Sequence, residues 1–186
     1  GVRGNPSGAG SCTSPANWHG PARGGSGGYA LEIGGSGGAG LAGGARVPVS
    51  LEGAGDFKGF LVKVSEGAFE GPEALGASGG SESVQFMSQC GGGRDHLTHV
   101  SSSRKARVSA DFVAPLVTED TEVTISAMPM VSTSQWYALT ETITVRATPA
   151  AAPPPVTAGD QPPPPPPLPP PPLQTPPVPP PPLSPP

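Results

Sequence analysis

The chain has 186 residues, of which 13% are charged and 5% aromatic, with a net charge of −4. These values exclude a basic footprint for nucleic acid and leave the core to Val, Leu, Ile and Ala. No apolar run is long enough to span a membrane as a helix, and about 150 residues remain for one ordinary domain once the proline-rich end is set aside.

Residues 1–28 are rich in Gly, Pro and Ser and read as an extended strap held at Cys12. A chain opening at Gly1 without methionine is expected of a secreted protein after signal-peptide removal, although a fragment would look the same. The N-glycosylation signal fails at Asn5 because Pro6 precedes Ser7. Gly24–Gly44 holds 11 glycines in 21 residues, which predicts loops broken by one short strand.

Short alternating stretches follow, separated by turn residues. They are Tyr29–Ile33, Val47–Leu51, Phe57–Val64, Val84–Met87, Leu97–Val100, Ala106–Phe112, Glu122–Met128 and Leu139–Ala147. In Ala106–Phe112 the residues Ala106, Val108, Ala110 and Phe112 share one face, and Arg107, Ser109 and Asp111 the other. This period of two predicts an all-β fold, an antiparallel β-sandwich, over residues 29–147. Glu66–Ser83, rich in glycine and proline, reads as a long loop. Thr148–Asp160 reads as a linker.

The last segment, residues 161–186, carries 18 prolines. Proline fixes φ near −65° and has no N–H, so helix and central strand are both unavailable. Polyproline II is the expected form, at about 3.1 Å per residue, or roughly 80 Å for the segment. Leu168, Leu173, Val178 and Leu183 interrupt the prolines at intervals of five. With three residues per turn, that spacing winds around the rod and forms no single stripe.

Chemistry-bearing residues are few. Cys12 and Cys90 are the only cysteines. They read as a structural bridge or as redox thiols; a bridge would imply an oxidising compartment. His96 and His99 are the one close histidine pair, but positions i and i+3 of a strand point to opposite faces, against a shared metal. His19, beside Trp18, could close a third ligand position, but nothing in the sequence places it near them. Gly91–Arg94 lacks the pattern of a phosphate loop, and Glu66, Glu70 and Glu73 lack calcium-ligand spacing. Ser101–Lys105 reads as a solvated turn. No nucleophile–base–acid set, metal site or cofactor site emerges, so the chain reads as non-enzymatic. Trp136 reads as a core residue, and Tyr137 as a possible surface contact.

Phe57-Lys-Gly-Phe-Leu61, Gly67-Ala-Phe69, Cys90-Gly-Gly-Gly, Thr98-His99, Lys105-Ala-Arg-Val108 and Ala114-Pro115 together resemble the reeler domain. Gly4-Asn-Pro, Ser11-Cys12 and His19-Gly20 resemble that family's opening strap, so the likeness covers residues 4–147. It implies an immunoglobulin-like sandwich, a disulfide near Cys12 and Cys90, and extracellular interaction. Phe112 departs from the family's usual tryptophan before Ala-Pro.

The tail resembles hydroxyproline-rich glycoproteins of algal and plant cell walls. That likeness marks Pro162, Pro163, Pro164, Pro165, Pro166, Pro167, Pro169, Pro170, Pro171, Pro172, Pro176, Pro177, Pro179, Pro180, Pro181, Pro182, Ser184, Pro185 and Pro186 as candidates for hydroxylation or glycosylation. The expected function is a structural subunit of an extracellular glycoprotein fibre or cell-surface matrix. Its tail would carry carbohydrate and mediate self-association. The alternative is a secreted recognition or adhesion module with the tail as a rigid spacer.

Overall fold

Alternation becomes pairing in the computed structural model, which describes residues 9–13, 19–35, 40–90 and 93–148. The chain divides into two units, residues 1–150 and 151–186, and the second lies outside the described residues. Twelve strands form two sheets, and no α-helix occurs among the described residues.

The strands are β1 (Tyr29–Ile33), β2 (Leu41–Ala42), β3 (Arg46–Phe57), β4 (Gly59–Val64), β5 (Ala68–Gly76) and β6 (Ser81–Glu82), then β7 (Val84–Phe86), β8 (His96–His99), β9 (Lys105–Val113), β10 (Thr121–Ser132), β11 (Gln135–Trp136) and β12 (Leu139–Arg146). One sheet has the order β1-β3-β9-β5-β6. The other runs β2-β12-β10-β4-β8-β7, with β11 added beside β10. Every pairing is antiparallel except the short one between β2 and β12.

The core lies between the sheets, as the alternation requires. Leu51, Phe57, Phe60, Phe69, Leu97, Phe112, Val123, Ile125 and Val145 are all fully buried there. Burying each such side chain stabilises the fold by about 1.5–3 kcal/mol. Phe112 fills its place with no exposure and meets Phe69 edge-on, ring centres 6.2 Å apart. The neighbouring Gly67 has φ +98°, and a Cβ there would stand 2.6 Å from both the Phe112 ring and the Val113 carbonyl. Glycine is therefore required at the turn into β5.

The expected long loop over Glu66–Ser83 is corrected. It contains β5 and β6, which together close one side of the first sheet. Gly71-Pro72 does not end β5, because it sits in a register shift between Glu70 and Glu73, where proline withholds no ladder bond. Phe57–Val64 is likewise two strands, divided at Lys58, with β3 turning out of one sheet and β4 entering the other. Gly24–Gly44 holds the expected strand and also the two residues of β2.

Pro129 lies inside β10, a central strand. Its carbonyl accepts from the Tyr137 N–H at 3.2 Å, opposite the break between β11 and β12. The missing proline N–H thus falls where the ladder is interrupted.

Candidate functional site

Three features outside the main core are built from specific residues. The first is the strap. Cys12 and Cys90 form a disulfide with Cα atoms 5.4 Å apart, tying positions 78 residues apart. Around it the strap meets the second sheet through the Ala9 N–H donating to Thr98 Oγ1 at 3.0 Å, and Lys63 Nζ donating to the Thr13 carbonyl at 3.2 Å. Farther along, the Trp136 indole donates to the Gly20 carbonyl at 3.0 Å, and the Arg23 N–H donates to the Trp136 carbonyl at 2.8 Å. These contacts seal a second apolar cluster of Ala9, Leu61, Met87, Cys90, Met128, Met130 and Trp136. The outer face of the second sheet is therefore covered by its own chain.

The three histidines have separate partners. His96 Nε2 lies 3.0 Å from the Cys12 carbonyl and its Nδ1 lies 3.1 Å from Asp95 Oδ1. The buried His99 has its Nδ1 3.2 Å from the Phe60 nitrogen and 3.3 Å from both the Phe60 carbonyl oxygen and Thr98 Oγ1. His19 Nδ1 sits 2.7 Å from the Thr133 carbonyl. Among the described residues no group of His, Cys, Asp and Glu is arranged to hold a metal ion. Glu70 pairs instead with Arg46 and, at 3.9 Å, with Arg94.

The second feature is Lys105, and it corrects the reading of Ser101–Lys105 as a solvated turn. Lys105 is fully buried at the end of β9, between Phe57 and Gly76 on the flanking strands. Its Nζ donates to the Ser101 and Ser103 carbonyls at 2.8 Å each and to the Lys58 carbonyl at 3.3 Å. Burial lowers its pKa, while the charge of Glu82 opposes the shift. Glu82 in turn accepts hydrogen bonds from the Ser103 and Ser101 hydroxyls, which lower its own pKa, the Ser103 bond foremost. A turn that looks hydrophilic in sequence thus wraps a cation in carbonyls. By simple alternation Lys105 falls with the outward-facing Arg107, Ser109 and Asp111; the register shifts beside it on both flanking strands turn it inward, and local sequence carries no signal for them.

The third feature is an open cleft of about 400 Å³ between β1 and β12. Leu31, Ile33, Leu41 and Ile143 supply its apolar surface, and Gly40, Glu141, Thr142 and Thr144 its rim. It exists because β2 covers only Val145 and Arg146 of β12, leaving the strand's earlier residues at the sheet margin. Local sequence carries no signal for it.

Tyr137 is half-buried. Its ring centre lies 5.8 Å from that of Tyr29, and its hydroxyl accepts from Gln135 Nε2 at 2.8 Å. Trp136 is buried, as expected, though in the cluster beneath the strap and not between the sheets. The proline runs and Ser184 lie outside the described residues, as do Trp18 and residues 91–92. No helix among the described residues is long and apolar enough to cross a membrane.

The fold is a two-sheet β-sandwich with an N-terminal strap bridged by Cys12–Cys90. The Reeler domain model matches residues 12–152, and the chain belongs to the reeler family. Among solved structures it is similar to the Reelin-N domain of F-spondin, at 20% identity and a TM-score of 0.54, covering 70% of this chain and 94% of that one. It is also similar to the human F-spondin reeler domain, at 20% identity and a TM-score of 0.52, covering 69% and 96%. No curated protein matches the sequence.

Proposed function

We propose that the chain is a structural subunit of an extracellular glycoprotein fibre or cell-surface matrix, with the reeler sandwich as its head and the proline-rich end as its assembly element. The observation that carries this reading is the joining of 18 prolines in residues 161–186 to a disulfide-latched head. The bridge supports an oxidising, extracellular setting. A proline-rich segment contributes almost no backbone donors, so it associates through side chains, carbonyls and attached sugars instead of strand pairing. Hydroxylated and glycosylated prolines would stiffen such a rod by crowding successive turns.

Electron microscopy of the native secreted chain, with glycopeptide mass spectrometry of residues 161–186, tests the proposal. Filaments built from chains with modified prolines are expected. Isolated monomers with bare prolines would sink it.

The family assignment favours a second reading, a secreted recognition module held off a surface by its tail. The F-spondin reeler domains are the structural relatives that support it. A full-length chain that stays monomeric while binding a separate protein or glycan specifically would establish that reading over the fibre.

A further inference from the structure

We infer that the cleft between β1 and β12 receives the proline-rich segment, residues 162–186, of a second copy of this chain. The inference rests on the fibre reading and names the docking site that such a fibre uses.

Main-chain direction at the two strands is fixed by the pairing. The Gly34 N–H donates to the Pro48 carbonyl, and the Gly28 carbonyl accepts from Ala54. Even-numbered residues of β1 therefore face β3, and the N–H and C=O of Leu31 face outward. On β12 the Arg146 carbonyl accepts from Gly43, and the Thr144 carbonyl lies 3.0 Å from where a Cβ on Gly40 would stand. Even-numbered residues of β12 therefore face away from β10, and Thr142 presents its N–H and C=O along the open margin. The cleft thus combines two outward strand edges and the exposed Thr142 and Thr144 with a narrow floor where the largely buried Leu31, Leu41 and Ile143 reach the surface.

An added β-strand would bring both donors and acceptors to such an edge. A proline run brings carbonyls only, and Leu31 and Thr142 each offer an N–H to them. Size agrees as well. Glu141–Thr144 span about 13 Å of strand, and four residues of polyproline II span about 12 Å. One aliphatic residue with its flanking prolines fills that length. The five-residue spacing of Leu168, Leu173, Val178 and Leu183 separates successive aliphatics by about 15 Å, so one cleft takes one of them. The segment as a whole, at roughly 80 Å, is several times longer than one cleft and is free to engage more than one head. The 400 Å³ volume is within the range of sites that hold compact ligands.

The test mixes two full-length chains, one carrying Thr144→Cys and the other carrying a single tail cysteine at Leu168, Leu173, Val178 or Leu183. Under mild oxidation, disulfide-linked heterodimers should form at least about tenfold above a control in which the head cysteine is Glu73→Cys, on the other sheet. Adding Thr142→Pro to the Thr144→Cys chain removes one N–H from the cleft while sparing the β10 ladder. It should lower the yield about fivefold, the worth of one hydrogen bond. Equal cross-linking at Glu73→Cys overturns the inference. So does a cross-link that forms only when both cysteines are on one chain. Fibres that persist without any cleft cross-link would overturn the docking site and leave the fibre reading standing. A cleft cross-link in a chain that makes no fibre would do the reverse.

Discussion

The two sides of the second sheet are treated in opposite ways. Its outer face, around Leu61, Met128 and Met130, is roofed by the N-terminal strap and locked by Cys12–Cys90. Its margin at β12 is paired only where β2 reaches it, and a cleft opens beside it. An unpaired strand edge invites association, and proteins usually blunt it. Here the blunting is local: Glu141, Thr142 and Thr144 are exposed polar residues, while Leu31, Leu41 and Ile143 beneath them are largely buried in the core. On the proposed reading, stability resides on the sealed side and association on the open one. Substitutions should separate the two.

The largest expected loss follows removal of the bridge. Cys12→Ser with Cys90→Ser should lower unfolding free energy by up to about 4.5 kcal/mol, the loop-closure value for a 78-residue separation. Urea denaturation of the reduced and variant proteins measures it. Lys105→Ala comes next. It strands the Lys58, Ser101 and Ser103 carbonyls and should cost about 3 kcal/mol, read from the same denaturation midpoint. Gly67→Ala forces a side chain into positive φ against Phe112 and should cost about 2 kcal/mol.

Acid gives a smaller effect whose sign is fixed. Glu82 has a pKa below its ordinary 4.5 in the folded protein. The folded state therefore binds this proton less readily than the unfolded chain, and stability is lost as pH falls through 4.5 and below. Glu82→Gln should flatten that limb of a stability-versus-pH curve; an unchanged acid limb would show that the Ser103 and Ser101 bonds are not responsible. Smallest of all is Thr142→Pro on the open edge, expected to shift stability by less than about 0.5 kcal/mol. If it unfolds the head, the edge is not open.

Much of the sandwich was legible because burial on one face writes a period of two into the sequence. The Ala106–Phe112 alternation became β9, and Leu139–Ala147 became β12 within one residue. The two cysteines left a bridge and redox thiols both open, and the ordered motifs from Phe57 to Pro115 pointed to the family and, through it, to the bridge. Strand β5 was hidden because Gly71-Pro72 is a turn signal in sequence and a bulge in a paired sheet. Lys105 was hidden because charge predicts exposure, whereas three carbonyls from two loops enclose it. The cleft was illegible for a deeper reason. It depends on which strands end up as sheet margins and how far β2 extends, and both are decided by residues distant in sequence.

The central claim is that the proline-rich end assembles the heads. Its most direct test compares the mass distribution of the full secreted chain with that of a chain ending at Asp160, by analytical ultracentrifugation at matched concentration. The account predicts large assemblies for the full chain and a folded, monomeric head for the shortened one. Assemblies of equal size from both chains, or monomers from both, would contradict it.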